Sequence, residues 1–155
     1  MSVLRDQGCA SLQEMPWDPS DVRSEPSKAA RLDAAKYRAH GAELILCQRY
    51  PGKQLDLDPL KSWLYTRKQP LVIGLSVLDD FGRFKGNHNA VYAPSREAKL
   101  LGPHALCVVG YDDRLHAFRV VNSLGAKWGD HGYAWLSDNY LSARISEAWG
   151  EMPGL

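Results

Sequence analysis

A chain of 155 residues suits one domain and can bury about two-thirds of its unfolded surface. Nineteen Lys+Arg against 18 Asp+Glu leave a net charge of +1, which removes the electrostatic case for nucleic acid or an anionic membrane surface as a partner. Hydrophobic residues at 45% and charged residues at 24% indicate a folded chain, and no apolar run reaches the ~20 residues of a membrane helix.

The opening MSVLRDQGCA lacks the basic-then-apolar pattern of a secretory leader, so a cytoplasmic chain is expected. VLRDQG reads as the end of a helix stopping at Gly8. Ser11 and Glu14 have capping-box spacing, but no periodic apolar run follows them. Pro16, Pro19 and Pro26 punctuate a loop. The Ala-rich segment from Ser27 predicts a helix ending near Gly41, and AELILCQRY from Ala42 a strand. Asp58 is expected to cap a helix with Pro59 at its first position and Leu60, Trp63 and Leu64 on one face. Pro70 closes it. LVIGLSVL from Leu71 is a near-continuous apolar run, hence a strand expected to be buried on both faces. Asp79 to Leu101 is polar and Gly-containing, and is expected to be an extended surface loop. HALCVVGYD, FRVVNSL and YAWLSD read as three short strands. Early helices and late strands argue for an α+β fold with an antiparallel sheet or barrel in the second half.

Cys9, Cys47 and Cys107 are odd in number and widely spaced, so they suggest neither a disulfide framework nor zinc. No HExxH or three-ligand cluster occurs, and no metal or cofactor is expected. Of the five histidines, His40, His88, His116 and His131 lie in polar or turn contexts and read as solvated or locally bonded. His104 differs, because it stands at the mouth of an apolar strand and needs a partner. Asn122 ends another apolar strand and can simply begin a turn. Two strands with polar residues at matching ends can also set the Asn side-chain oxygen against the imidazole. That would fix the tautomer and free the other ring nitrogen to act on a nucleophile.

GPHALCVVGYDDRLHAFRVVNSLGAKWGDHGY resembles the catalytic His and Asn region of papain-family cysteine peptidases. The matching positions are His104, Ala105, Val109, Gly110, Tyr111, Asn122, Ser123, Gly125, Trp128, Gly129, Gly132 and Tyr133. Upstream, Pro16 and Trp17 look like the family's "PY" loop, and QPLVIGLSV looks like the strand after its mid-domain helix. The resemblance implies a papain-like fold: chiefly the right-lobe antiparallel β-barrel (42–155), with a remnant of the helical left lobe (1–41), together one truncated domain. It implies His104 as general base and acid, Asn122 as its orienting partner, and Trp128 as the indole lining the leaving-group side of the cleft. Gly74 and Ala105 fall where the family lines a substrate side-chain pocket, left roomy for an apolar group by two small residues.

Two departures stand out. Leu124 occupies the place of the Trp that normally shields the Asn–His hydrogen bond, which implies a wetter pair. The family's QGxCGSCWAF nucleophile segment has no counterpart. Gln7 and Cys9 are too close together to supply it, so Cys9 reads as a loop-packing cysteine and Cys47 as core. Cys107, three residues after His104 on one strand, is expected on the opposite face. Without thiolate and oxyanion hole the chain is expected to be inactive alone. Three readings stay open. The chain can be the His/Asn portion of a peptidase completed by a separate Cys-bearing chain, with polypeptide as substrate. It can be an inactive papain-like pseudo-peptidase that binds a partner protein. It can also be a decaying fragment, against which stand its intact core alternation and turn glycines.

Overall fold

A computed structural model describes residues 2–16, 18, 20–21, 23–48 and 53–152. Trp17 and Pro19 of the proline-punctuated loop, and Arg49 and Tyr50 at the end of the AELILCQRY segment, lie outside the described residues. The chain groups into two compact units, Met1–Glu43 with Glu151–Leu155, and Leu44–Gly150.

In the first unit, α1 (Ser2–Asp6) turns back at Gly8, where the N–H groups of Gln7 and Gly8 both bond the Val3 carbonyl. Gly8 has φ +89°, and a Cβ there would stand 1.8 Å from the Ala34 carbonyl oxygen, so only glycine fits. α2 (Lys28–Ala34) is capped by Ser27, whose side chain accepts from the Ala30 N–H. It ends well before Gly41, shorter than expected. The Lys36 and Tyr37 amides close tight turns, the Tyr37 carbonyl accepts from Cys9, and the Ala39 amide donates to Leu4. Those bonds draw the backbone out of the helix. The Glu14 N–H does reach Ser11 Oγ (3.4 Å), but a turn and no helix follows. Cys9 is exposed and does not pack.

In the second unit, α3 (Asp58–Arg67) presents Leu60, Trp63 and Leu64 to the core. Its N-cap is Leu57, with no side-chain bond; Asp58 lies inside the first turn, where its charge faces the helix dipole. Lys68, left-handed at φ 55°, ends it before Pro70. The described strands are β1 (Gly41–Cys47), β2 (Leu71–Leu78), β3 (Val91–Tyr92), β4 (Leu100–Asp112), β5 (Ala117–Val121), β6 (Tyr133–Ser137) and β7 (Ile145–Met152). They form a sheet in the order β1-β7-β2-β4-β5-β6-β3. Pairings from β7 through β6 are antiparallel, as expected, but β3 joins β6 in parallel.

β2 is buried on one face only: Leu71, Ile73, Leu75 and Val77 are buried while Val72 is 43% exposed. Its alternation places the first set against Leu106 and Val108 of β4. The segment from Asp79 to Leu101 is more structured than a surface loop. It forms a 3-10 turn (Phe81–Arg83) and β3, and it sends Phe81 and Tyr92 into the core. After β6, α4 (Asp138–Arg144) starts on a Ser137 cap, and β7 returns beside β2. Cys47 is exposed on β1, not core. No described helix is long and apolar enough to cross a membrane.

Candidate active site

β4 and β5 form a hairpin with Cys107 opposite Val121. Its alternation turns Leu106 and Val108 inward, so His104 leaves the core face at the open end of β4. Asn122 follows β5 directly, held where its N–H donates to the Gly132 carbonyl (3.0 Å). The loop between runs through Gly125, Gly129 and Gly132, all at positive φ. At Gly129 a Cβ would lie 2.2 Å from the Tyr133 carbonyl oxygen, which fixes glycine there.

The hairpin brings His104 and Asn122 together, with His104 Nε2 2.9 Å from Asn122 Oδ1. An amide oxygen only accepts, so Nε2 carries the hydrogen. In the neutral ring Nδ1 is then the basic nitrogen. Asn122 is 7% exposed, and its Nδ2 has no partner among the described residues. Leu124 is 51% exposed.

Beneath the imidazole lies Phe81, edge-on, with ring centroids 6.0 Å apart. Phe81 in turn packs on Tyr92 and Trp128, each at 5.1 Å. Trp128 is buried, and its Nε1–H donates to the Phe81 carbonyl at 2.8 Å. What it offers the pair is therefore support from below. Asp80, next to Phe81, accepts from the Tyr92 hydroxyl and from the Ser95 N–H (2.8 Å). Burial pushes the Asp80 carboxyl up, but these two donors outweigh it and hold it below the usual carboxylate range. Burial, then the Asp80 carboxylate, pushes the Tyr92 phenol well above its usual value. Phe81, Asp80 and Tyr92 are the supporting residues that reading the segment as a polar loop missed. The aromatic spacing of Phe81, Phe84 and Tyr92 was the available signal.

Gly74 pairs with Ala105 on one side and with Glu147 of β7 on the other. The space beside Gly74 is thus not an apolar recess. A Cβ on Gly74 would meet Ser146 Oγ at 3.0 Å, Glu147 Cγ at 3.2 Å and Glu147 Oε1 at 3.4 Å. Cys107 pairs with Val72 on the face opposite His104, and burial raises its thiol pKa. No group of His, Cys, Asp and Glu among the described residues could hold a metal ion.

A mixed sheet with a His–Asn pair at one hairpin mouth is the framework of a cysteine protease lobe. The chain belongs to the papain family of cysteine proteases, whose family profile matches residues 3–149. Xylellain, a cysteine protease from Xylella fastidiosa, superposes with a TM-score of 0.73 at 28% identity, over 99% of this chain and 60% of that one. The Carica candamarcensis cysteine protease CMS1MS2 gives 0.65 at 15% identity, over 99% and 66%. A peptidase C1-like protein of Acanthamoeba polyphaga mimivirus is 32% identical over 74 residues, 47% of this chain and 24% of its own length. The chain spans less than two-thirds of each of these relatives.

Proposed function

We propose that this chain is the His/Asn-bearing portion of a papain-like cysteine peptidase, completed by a cysteine nucleophile on another polypeptide segment. The carrying observation is the 2.9 Å contact from His104 Nε2 to Asn122 Oδ1. With that nitrogen committed, Nδ1 takes the thiol proton as the thiolate attacks the scissile carbonyl carbon. The imidazolium then returns the proton to the departing amine, and water, activated by the same nitrogen, hydrolyses the thioester. Asn122 holds the ring in the one tautomer that can do this. The added segment would also bring the oxyanion donors, each worth about 2.7–4 kcal/mol. Polypeptide is the substrate, and the setting is a reducing one such as the cytoplasm, where free Cys9, Cys47 and Cys107 persist. The longer relatives support this reading, since 40% of xylellain has no counterpart here.

A second reading, an inactive pseudo-peptidase that binds a partner protein, is favoured by exposed Leu124 where a shielding indole would stand.

An activated peptide ester and an epoxide thiol trap, followed by intact mass, separate the two. The chain is assayed alone and mixed with a Cys-bearing polypeptide encoded beside it. Turnover on mixing, with the trap on the added polypeptide and loss in His104→Ala, is expected. Asn122→Ala should lower kcat at least tenfold through misoriented imidazole. Trap mass on this chain alone, with turnover that needs His104, would move the nucleophile to one of its own cysteines. Silence in both arms would favour the binding module.

A further inference from the structure

From the outer face of β4, β5 and β6 we infer a docking surface for the Cys-bearing polypeptide, on which Arg119 anchors a carboxylate, Asp or Glu, that this polypeptide brings. The inference rests on the peptidase reading above. β5 and β6 bury Phe118, Val120, Ala134 and Leu136 and turn Arg119, Val121, Tyr133 and Trp135 the other way. Val72, Cys107, Val121 and Tyr133 form one row across four strands of that face, and Arg119 pairs with Trp135 in the next. Val121 directly precedes Asn122, so the face begins one residue from the His104–Asn122 pair. A segment that sets a thiol beside His104 from this side covers the row as it arrives.

Arg119 is held in place but not paired. Its guanidinium carbon lies 4.9 Å from the Tyr133 ring centroid and 5.8 Å from that of Trp135. The indole is itself fixed, its Nε1–H donating to the His88 carbonyl at 3.1 Å. Opposite Arg119 on β4 stands Gly110, where a Cβ would meet nothing within 4 Å, so the space on that side is open. Lys61 and Arg114 hold carboxylates at 2.7 and 2.8 Å. Arg119 reaches only Asp130, at 4.0 Å, and His88 shares that carboxylate from 3.8 Å. That distance is too long for a hydrogen bond.

The chemistry of the occupant follows. Two rings hold the planar fork, so little rotamer entropy is left to lose when a carboxylate closes on it. Arg, Tyr and Trp are the residues that dominate binding energy at protein interfaces, and the apolar row beside them excludes water. Covered by an apolar segment alone, the guanidinium donors would lose their hydration with nothing in exchange. A segment with a carboxylate at that point forms a bidentate, charge-assisted pair instead. A net charge of +1 gives the chain no general attraction for acidic partners, so the recognition is local.

The test titrates the full chain with the Cys-bearing polypeptide encoded beside it, by calorimetry and by turnover of the peptide ester. Arg119→Ala should weaken binding about 30-fold, the scale of an interface hot spot. The polypeptide concentration for half-maximal turnover should rise in step. Arg119→Lys keeps the charge but not the fork, and should weaken binding by less. Arg114→Ala removes a cation already paired with Asp112, and should bind as wild type. Arg119→Glu should abolish binding, and an Arg in place of one Asp or Glu of the polypeptide should restore it, which no misfolded variant can do. Unchanged affinity in Arg119→Ala, or no binding by the wild-type chain, would overturn the proposal. So would Arg119-dependent self-association of the chain in sedimentation, which would make a second copy the occupant. Arg119-dependent binding without turnover would uphold the docking surface and sink the peptidase reading. Turnover on mixing, with an affinity indifferent to Arg119, would do the reverse.

Discussion

Among the described residues of Met1–Glu43, only Ala30 is a fully buried apolar residue, while Leu12, Leu32 and Tyr37 stand 73%, 63% and 60% exposed. In Leu44–Gly150, by contrast, Phe81, Phe118, Leu136 and Leu141 lose 98% or more of their accessible surface in one continuous cluster. The two units also differ in what holds their backbones. The second has a sheet ladder; the first has two short helices tied by turns and by bonds such as Cys9 N–H to Tyr37 O. An apolar groove of about 760 Å³ runs through the first unit, lined by Leu4, Leu12, Met15 and Ala34 among others. The contrast shows where stability resides. Burial of apolar area is the main favourable term in folding, and one unit has it while the other largely lacks it.

Mutations can break that contrast, beginning with the largest expected effect. Phe118→Ala should cost about 3–5 kcal/mol in denaturant unfolding, because it empties a site with no solvent access. A cost under 1 kcal/mol would mean the second unit is not the stable one. Asp80→Ala should cost about 1–3 kcal/mol, since it strands the Tyr92 hydroxyl beside the core. Asp80→Ala made in a Tyr92→Phe background should cost less, because no phenol is then left unpaired.

The same pair sharpens the comparison through pH. Asp80 has a depressed pKa in the folded state, so its contribution is present above the unfolded value near 3.9. It is lost as pH falls through the lower folded value. Tyr92 has a raised pKa, so its contribution is full below about pH 10 and is lost as pH climbs toward the folded value. Thermal melts of wild type and Asp80→Asn should therefore converge below pH 4. A gap unchanged at pH 3 would remove Asp80 from the linkage.

The smallest effect belongs to the first unit. Leu32→Ala should move stability by no more than about 0.5 kcal/mol, given its exposure. Hydrogen exchange on the same protein should show α2 amides exchanging orders of magnitude faster than those of β4 and β5. Equal protection in both would erase the contrast drawn here.

Much of the second unit was legible because its strands announce themselves. β2, β4, β5 and β6 are apolar runs bounded by turn residues, and their pairing follows from alternation. His104 and Asn122 stood out because each is polar at the end of such a run. The illegible parts share a physical cause, which is that burial was decided by partners distant in sequence. Phe81 and Tyr92 sit among charged and Gly residues, yet the core takes them because Asp80 satisfies the phenol and Phe81 fits against Trp128. Cys47 lies in an apolar run but on a strand face left open. Asp58 has a capping residue's identity, but the helix begins at it and not after it.

The β4–β5 hairpin has a last consequence. His104 and Asn122 are separated by 18 residues, all within one antiparallel excursion and its turn. Loop closure on that scale is cheap, with each doubling of length adding only about 0.6 kcal/mol, and hairpins close in about 1–10 μs. The pair is thus a cassette whose alignment is set by strand register alone. Circular permutation that opened the chain far from Asp113–His116 would carry it intact, whereas a nick inside that turn would split the two partners onto separate pieces.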